Sequence, residues 1–200
     1  MSKSSLAIQL SKLKAFSAPK TYSEQYSTDS EIAADILWLA YMKGDIKNKV
    51  VADLGCGTGM LGIGCLLLGA GKVYFVDNDK EALATAAANT SSLGLKGYEL
   101  INSDITEIRL KADVVVQNPP FGTKRKHADR EFLLKAFETA NKIYSIHKAA
   151  SIDFVQKISK DHEFRITNII RYDMPIKHQH AFHKKRIHRI QTACFRLEKS

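Results

Sequence analysis

The stretch VVADLGCGTG, residues 50–59, decides the fold. Its first half is an apolar run that predicts a buried strand, and its second half holds three glycines. The strongly apolar residues 60–68 then predict a helix. A strand, a glycine loop and a helix in this order form the βα turn of a nucleotide-binding fold, in which the backbone passes close to the ligand and the helix N-terminus offers N–H donors.

Three acids stand at the ends of successive predicted strands: Asp53 in the first strand, Asp77 at the end of residues 72–77, and Asp104 after residues 98–102. Because the carboxyl ends of parallel strands meet at one edge of a sheet, these side chains are expected to converge on the glycine loop. The position of Asp77 suits the hydroxyls of a ribose, which dinucleotides share with other nucleoside ligands. Asp53 argues against a dinucleotide, because its carboxylate would face a pyrophosphate unfavourably but would suit a cationic ligand that carries an amino acid.

Helices and strands alternate along the rest of the chain, and polar residues precede two of the helices as candidate caps, Thr28 or Asp29 and Asn78 or Asp79. The order predicts an α/β, Rossmann-like, doubly wound sheet with helices on both faces, ending in a hairpin-like pair of strands. We expect one domain over residues 1–200, with residues 1–20 as an amphipathic N-terminal helix packed on it or extending from it. The further predicted elements are helices over residues 4–16, 30–42, 80–92, 129–141 and 150–159, and strands over residues 112–117, 142–147, 164–172 and 189–197.

The stretch NPPF, residues 118–121, follows the apolar strand 112–117. Proline fixes its own φ, offers no N–H and keeps the preceding residue out of the α region, so the strand has a stiff exit. The side-chain oxygen of Asn118 and the carbonyl oxygen of Pro119 are therefore held at the carboxyl edge of the sheet, with Phe121 beside them. Two acceptors and an aromatic ring at this edge indicate a site at which a planar amino group is methylated.

The charge distribution predicts a polyanionic partner. The chain carries a net charge of +9, and its basic residues form clusters over residues 124–127 and 177–189. Such clusters are typical of nucleic-acid binding. The four histidines of the second cluster lack cysteine partners and a tight ligand spacing, so a basic RNA-facing loop is favoured over a zinc site, and no metal is expected. They are His178, His180, His183 and His188.

Composition indicates a globular protein of the cytoplasm. The chain is 44% hydrophobic and 26% charged, which is ordinary for a globular domain. No apolar run reaches the roughly 18–20 residues that span a bilayer, and no signal-peptide pattern follows the first residues. The three cysteines are odd in number and widely spaced, so we expect no disulfide framework and a reducing compartment.

Taken together, these motifs resemble the class I S-adenosylmethionine-dependent methyltransferases, on the stretches DLGCGTG at residues 53–59 and NPPF at residues 118–121 and on Asp77 and Asp104. The Asn-Pro-Pro-aromatic motif is similar to that of enzymes that methylate planar amino nitrogens, either adenine N6 or the glutamine amide. Longer stretches resemble one subfamily, the archaeal and eukaryotic adenine-N6 methyltransferases of small-subunit ribosomal RNA. These are EQY at residues 24–26, NPPFGTK at 118–124, YSIHK at 144–148 and FHKK at 182–185.

The resemblance implies a seven-stranded sheet, mostly parallel with the last strand antiparallel, and S-adenosyl-L-methionine as cofactor. It also implies RNA, specifically ribosomal RNA, as the substrate. In the eukaryotic relatives a small zinc-containing activator protein covers one edge of the enzyme. The resemblance implies such an activator as a possible partner of this chain.

The resemblance further implies a set of site residues, in which Asp77 holds the ribose hydroxyls, Asp104 the adenine amino group, and Asp53 lies near the ammonium group of the cofactor. The implied catalytic residues are Asn118, Pro119, Pro120 and Phe121. The implied cofactor-binding residues are Gln25, Tyr26, Thr28, Asp53, Gly55, Gly57, Gly59, Asp77, Asn78, Asp104, Ile105 and Asn118. The implied RNA-binding residues are Lys124, Arg125, Lys126, Lys148, His183, Lys184, Lys185 and Arg186.

Other functions remain compatible with parts of this pattern. A protein glutamine-amide methyltransferase would use the same acceptor chemistry, but those relatives usually have tyrosine at the aromatic position and a larger N-terminal domain. A DNA adenine methyltransferase would need a target-recognition domain, for which 200 residues leave no room. A non-catalytic RNA-binding or ribosome assembly factor with a cofactor fold would not require the NPPF motif together with the three acids.

Overall fold

Seven strands and six α-helices make up the part of the chain that the computed structural model describes, which is residues 1–16, 28–121, 128–176 and 188–200. The strands are β1 (Val50–Leu54), β2 (Lys72–Asp77), β3 (Tyr98–Asn102), β4 (Val114–Gln117), β5 (Lys142–Lys148), β6 (Phe164–Ile176) and β7 (His188–Lys199). The helices are α1 (Lys3–Ser11), α2 (Ser30–Met42), α3 (Met60–Leu67), α4 (Lys80–Ser92), α5 (Ala128–Thr139) and α6 (Ile152–Asp161), with a 3-10 turn at Ala149–Ser151.

The strands form one sheet in the order β3-β2-β1-β4-β5-β7-β6. Strands β1 to β5 pair in parallel, and β7 runs antiparallel to both β5 and β6. The predicted seven-stranded, mostly parallel sheet with an antiparallel last strand is thereby confirmed. The chain adds β2 and β3 on one side of β1 and β4 on the other, and open α/β sheets bind ligands at the carboxyl ends of strands at such a switch point.

For several elements, the sequence predicted both the first and the last residue correctly. The helices predicted over residues 30–42 and 80–92 and the strands predicted over 72–77 and 98–102 have the observed bounds of α2, α4, β2 and β3. In each predicted pair of caps the second residue does the capping. Asp29 accepts the N–H groups of Glu31 and Ile32 at 3.0 and 3.3 Å, and Asp79 accepts the N–H of Glu81 at 3.0 Å.

Several of the predicted bounds were wrong, most of them by one or two residues, and the largest differences are in the first helix and in β6. The first helix, expected over residues 4–16, ends at Ser11, and the N–H of Lys14 instead donates to the side-chain oxygen of Asn89 at 2.9 Å. The two last strands are longer than expected, because they pair with each other from Phe164↔Lys199 to Ile176↔His188.

Helices cover both faces of the sheet and bury a separate apolar cluster on each. Helices α1 to α4 pack on one face, where Leu10, Leu37 and Phe75 are fully buried. Helices α5 and α6 pack on the other face against Phe195, which is also fully buried. Within the described residues, no helix is long and apolar enough to cross a membrane.

A fully buried carboxylate, Asp45, lies after α2 and bonds to three side chains of β5 and β7. It accepts hydrogen bonds from Lys142 Nζ at 2.6 Å, from the Tyr144 hydroxyl at 2.7 Å, and from Arg196 Nε and Nη2 at 3.0 and 2.9 Å. Burial alone would raise the pKa of Asp45, but these donors outweigh it and hold the pKa below its usual value. The stabilisation from this carboxylate is therefore present at neutral pH and lost as the pH falls through that lowered pKa.

Replacing Arg196 with Met removes the bidentate partner and leaves Asp45 buried with incomplete neutralisation. We expect the free energy of unfolding, measured by urea denaturation at pH 7, to fall by about 3–5 kcal/mol. Glu99→Gln is the matched control, since it breaks an exposed ion pair with Lys72 at 2.9 Å and should cost less than about 1 kcal/mol. Equal losses in the two variants would contradict a structural role for the buried cluster.

Candidate active site

The glycine loop, residues 55–59, leaves the end of β1 and turns into α3. The N–H groups of Gly55 and Cys56 both donate to the carbonyl of Val76 in β2, at 2.9 and 3.0 Å. Gly57 has a positive φ of 54°, and a Cβ built on it would lie 2.9 Å from a ring carbon of Phe16. A Cβ on Gly55, with φ of 68°, would lie 2.8 Å from the ring of Phe132 in α5. The loop is therefore held between two aromatic rings of the chain itself, and glycine is required at both positions.

Asp77 ends β2 and is bonded to this loop. Its Oδ2 accepts the N–H of Gly57 at 2.8 Å, and its Oδ1 accepts the N–H of Asp79 at 2.9 Å. Burial raises the pKa of Asp77, while these backbone donors lower it in part. Two bonds thus fix the carboxylate at the carboxyl edge of the sheet, beside the exposed Asn78.

Asp53 faces the start of α3. It is 1% exposed, and its Oδ2 accepts the N–H of Gly62 at 2.8 Å. The pKa of Asp53 is raised to about 7, chiefly by burial and in smaller part by the nearby charge of Asp77, while the hydrogen bond from the Gly62 N–H acts to lower it. The structure places this acid against the first turn of α3, directly after the glycine loop, and its proximity to an ammonium group stays a prediction.

Asp104 and Ile105 follow β3, next to the end of β2. Asp104 Oδ1 accepts hydrogen bonds from the N–H and the hydroxyl of Thr106, at 3.0 and 2.7 Å. The side chain of Ile105 is 6% exposed and packs into the apolar cluster on the α5 and α6 face. Any contact of Ile105 with a cofactor would therefore have to come mainly from its backbone.

Asn118 follows β4 directly, and its amide is anchored at one end only. Its Nδ2 donates to the hydroxyl oxygen of Thr28 at 3.0 Å, and Thr28 is itself 6% exposed. Its Oδ1 is buried and accepts no hydrogen bond from the described residues. A buried acceptor without a partner costs about 1–3 kcal/mol, so such an oxygen in a native structure requires an explanation, and a ligand that donates to it is one.

The residues after Asn118 line the same edge. Pro119 is buried, while Pro120 and Phe121 are half-buried. The ammonium of Lys148, at the end of β5, lies 6.0 Å from the centre of the Phe121 ring. An aromatic ring and a cation thus stand together beside the partner-free oxygen of Asn118, within the usual range of a cation–π contact.

Sequence reasoning missed a chain of buried polar side chains on the α5 and α6 side of β4 and β5. Gln117 Nε2 donates to Ser145 Oγ at 2.9 Å, and Ser145 Oγ lies 2.7 Å from His147 Nε2. Burial lowers the pKa of His147 to about 3, so this histidine is neutral at physiological pH. The available signal was the run of polar residues at alternate positions inside an otherwise apolar strand.

Several predicted site residues lie outside the described residues, and their roles stay predictions. They are Gln25 and Tyr26 on the cofactor side and Lys124, Arg125, Lys126, His183, Lys184, Lys185 and Arg186 on the RNA side. Three of the clustered histidines, His178, His180 and His183, also fall there. In the part of the chain that the structure describes, no group of three or more His, Cys, Asp or Glu side chains could hold a metal ion.

Comparisons with known proteins show the family and support the fold. The family described as methyltransferase small domain matches residues 22–182. The rRNA N6-adenosine-methyltransferase METTL5 of Danio rerio is 36% identical over 197 residues, which cover 94% of this chain and 94% of the relative. The crystal structure of PH1948 from Pyrococcus horikoshii has a TM-score of 0.93 at 45% identity, covering 100% of this chain and 98% of that chain.

The fold is also shared with magnesium protoporphyrin IX methyltransferase from Synechocystis, which was crystallised with bound S-adenosylmethionine. That structure has a TM-score of 0.67 at 15% identity, over 96% of this chain and 90% of that chain, so it supports the fold alone. From the matched family and the nearly full-length relatives, the chain belongs to the methyltransferase small-domain family of S-adenosylmethionine-dependent methyltransferases.

Proposed function

We propose that this protein transfers a methyl group from S-adenosylmethionine to the exocyclic N6 of an adenine in small-subunit ribosomal RNA, in the cytoplasm. The observation that carries the proposal is the buried Oδ1 of Asn118, which has no partner among the described residues and stands at the edge of the sheet beside the glycine loop. The name of the zebrafish relative supports the choice of ribosomal RNA over other acceptors.

The described residues fit the cofactor. When bound, S-adenosylmethionine supplies an electrophilic methyl group on a sulfonium. Asp77 would hold the ribose hydroxyls with a carboxylate already fixed by the N–H of Gly57, and Asp104 would accept from the adenine amino group. The buried charge of Asp53 beside α3 suits the ammonium of the methionine part, since a cation would offset the burial that raises its pKa.

Asn118 and Pro119 would activate the acceptor nitrogen. The lone pair of an exocyclic adenine nitrogen is delocalised into the ring, so this nitrogen is a poor nucleophile. Asn118 Oδ1 and the carbonyl oxygen of Pro119 would each accept one of its two N–H groups, which favours a pyramidal nitrogen and stabilises the positive charge that develops on it. Thr28 holds the other end of the Asn118 amide at 3.0 Å, which keeps the oxygen directed at the site. The methylated nitrogen is strongly acidic, so its extra proton can pass to water without a strong base.

Phe121 and Lys148 would receive the target nucleotide. Stacking of a base on an aromatic ring contributes roughly 1–3 kcal/mol, and Phe121 is half-buried at the edge where the acceptor would lie. Lys148, 6.0 Å from that ring, would meet a phosphate, as would the basic residues outside the described part of the chain. A paired target base would have to be flipped or come from a distorted segment.

The edge of the sheet at β3 would take the activator protein. β3 pairs with β2 alone in the sheet, so its outer edge offers unpaired N–H and C=O groups, and Leu100 in this strand is 37% exposed. Among possible partners we infer the small zinc-containing activator that the sequence resemblance implies.

Asn118→Ala removes the acceptor oxygen and should lower the rate of methyl transfer at least about 100-fold, because a preorganised acceptor of developing charge contributes on this scale. Asn118 is also among the implied cofactor-binding residues, so calorimetric titration with S-adenosylhomocysteine is needed to separate a loss of cofactor binding from a loss of methyl transfer. The assay is tritiated methyl transfer to RNA and protein extracts from a strain that lacks the gene. Asn141→Ala is the matched control, because this exposed amide precedes β5 at the opposite end of the sheet.

Two results of that assay would contradict the proposal. If Asn118→Ala methylates RNA as fast as the wild type, the acceptor mechanism is wrong. If label enters protein alone, the acceptor is an amide of a polypeptide, which the glutamine-methylating relatives would explain.

Asp77→Asn should weaken the binding of S-adenosylhomocysteine, measured by isothermal titration calorimetry, by about 10- to 100-fold. The amide can still accept the N–H of Gly57, but it loses the charge that strengthens hydrogen bonds from the ribose hydroxyls. Glu99→Gln, a charge removal at an exposed position of β3, should leave the dissociation constant unchanged. Similar weakening by both variants would indicate a general electrostatic effect instead of a ribose contact.

Asp53→Asn should remove the part of the pH dependence of the unfolding free energy that comes from titration of the Asp53 carboxyl. The folded pKa of about 7 lies above the ordinary value of 3.8, so the folded state binds more protons between these values and wild-type stability falls as the pH rises through them. Asparagine mimics the protonated acid at every pH. Relative to Asp53→Asn, the ligand-free wild type should lose about 1–3 kcal/mol between pH 5 and 8 in urea denaturation. A constant difference between the two proteins over that range would contradict the raised pKa.

A further inference from the structure

The segment after α1, residues 13–16, lies against the glycine loop although it is distant in sequence. The backbone of Lys14 is held on both sides by one side chain, since its N–H donates to Asn89 Oδ1 at 2.9 Å and its carbonyl accepts from Asn89 Nδ2 at 3.1 Å. Two residues paired across neighbouring strands exchange hydrogen bonds in the same way. The bonds to Asn89 explain why the chain at Lys14 does not continue α1.

The same amide also binds the glycine loop. Asn89, in α4, is 2% exposed, and its Nδ2 donates a second hydrogen bond to the carbonyl of Thr58 at 3.0 Å. Both N–H groups and the oxygen of this amide are therefore engaged. One buried side chain thus joins α4, the glycine loop and the segment 13–16 into a single unit.

Phe16 completes this contact at Gly57. The Cζ atom at the tip of its ring would lie only 2.9 Å from a Cβ at residue 57, so the ring fills the space that a side chain there would need. The ring itself is half-buried. Gly57 contacts the Phe16 ring on one side, and its N–H donates to Asp77 on the other. Only Gly57 therefore lies between the ring and the carboxylate that we assign to the ribose. The segment is anchored by α1, in which Leu6 and Leu10 are fully buried.

We propose that Phe16 is a cofactor-binding residue and that the segment 13–16 forms a wall of the cofactor pocket. This inference rests on the proposed function, because it takes Asp77 as the ribose contact. The Phe16 ring shields the glycine loop and the ribose end of the ligand from water, which strengthens the hydrogen bonds made there. Binding of the ligand and docking of the segment stabilise each other, and by linkage the effect is reciprocal.

The first test is calorimetric titration of the full chain with S-adenosylhomocysteine, which binds without reaction. Phe16→Ala should raise the dissociation constant about tenfold or more, and Phe16→Leu, which keeps an apolar side chain and adds no atom beyond the tip of the ring, should raise it less. The matched control is Ile8→Ala, which truncates a side chain of α1 that is 56% exposed and should change nothing. Circular dichroism melting separates a loss of folding from a loss of binding.

The second test uses the wild type and does not depend on a variant that folds. Trypsin can cleave after Lys14 only when its backbone leaves Asn89, so saturating S-adenosylhomocysteine should slow this cleavage several-fold. Cleavage after Lys160, at the end of α6 on the other face of the sheet, should keep its rate.

The inference is overturned if folded Phe16→Ala binds S-adenosylhomocysteine as tightly as the wild type, or if the ligand leaves cleavage after Lys14 unchanged. A Phe16→Ala variant that melts at a lower temperature but keeps the dissociation constant would also overturn it, since the ring would then be structural only. Failure of the wild type and of Ile8→Ala to bind S-adenosylhomocysteine at all would contradict the proposed function and the inference with it.

Discussion

The parallel pairing of β1 with its two neighbours is the constraint on which the site depends. Leu54 lies opposite Val76 of β2 on one side and opposite Gln117 of β4 on the other. The residues that follow these three positions therefore emerge side by side, and they are Asp77, Gly55 and Asn118. One register thus brings the Asp77 carboxylate, the glycine loop and the Asn118 amide into a row. A shift by one residue in either pair would turn the side chains to opposite faces and separate them.

Buried polar groups fix the register of the next pair of strands, β4 and β5. Gln117 and Ser145 lie opposite each other in β4 and β5 and are bonded through their side chains at 2.9 Å. The series of hydrogen-bonded side chains continues to His147. Because its ring is neutral, it forms a hydrogen bond with Ser145 without the cost of a buried charge. On the opposite face of β5, Tyr144 bonds to the buried Asp45. A slip of β5 would leave these groups without partners in the core, and each loss would cost about 1–3 kcal/mol or more.

The glycine loop is rigid because the protein fills the space around it. Phe16 and Phe132 occupy the two places that side chains at Gly57 and Gly55 would take, and Asn89 and Asp77 bind the loop backbone. Binding sites that are fixed in advance lose less entropy when the ligand binds. The Asn118 amide is fixed at its nitrogen by Thr28, while its buried oxygen has no hydrogen-bond partner among the described residues.

Local patterns in the sequence determined most elements and the motifs of the site. The apolar runs, the glycines and the caps act over a few residues, so α2, β2, α4 and β3 could be predicted at both ends, and the place of Asn118 directly after a strand could be predicted from its neighbours alone. Only the tertiary structure decided which distant side chains complete the site. The Thr28–Asn118 bond joins residues 90 positions apart and the Lys14–Asn89 bonds join residues 75 apart. Such contacts follow no periodicity, because they arise where the folded sheet brings separate segments to the same edge.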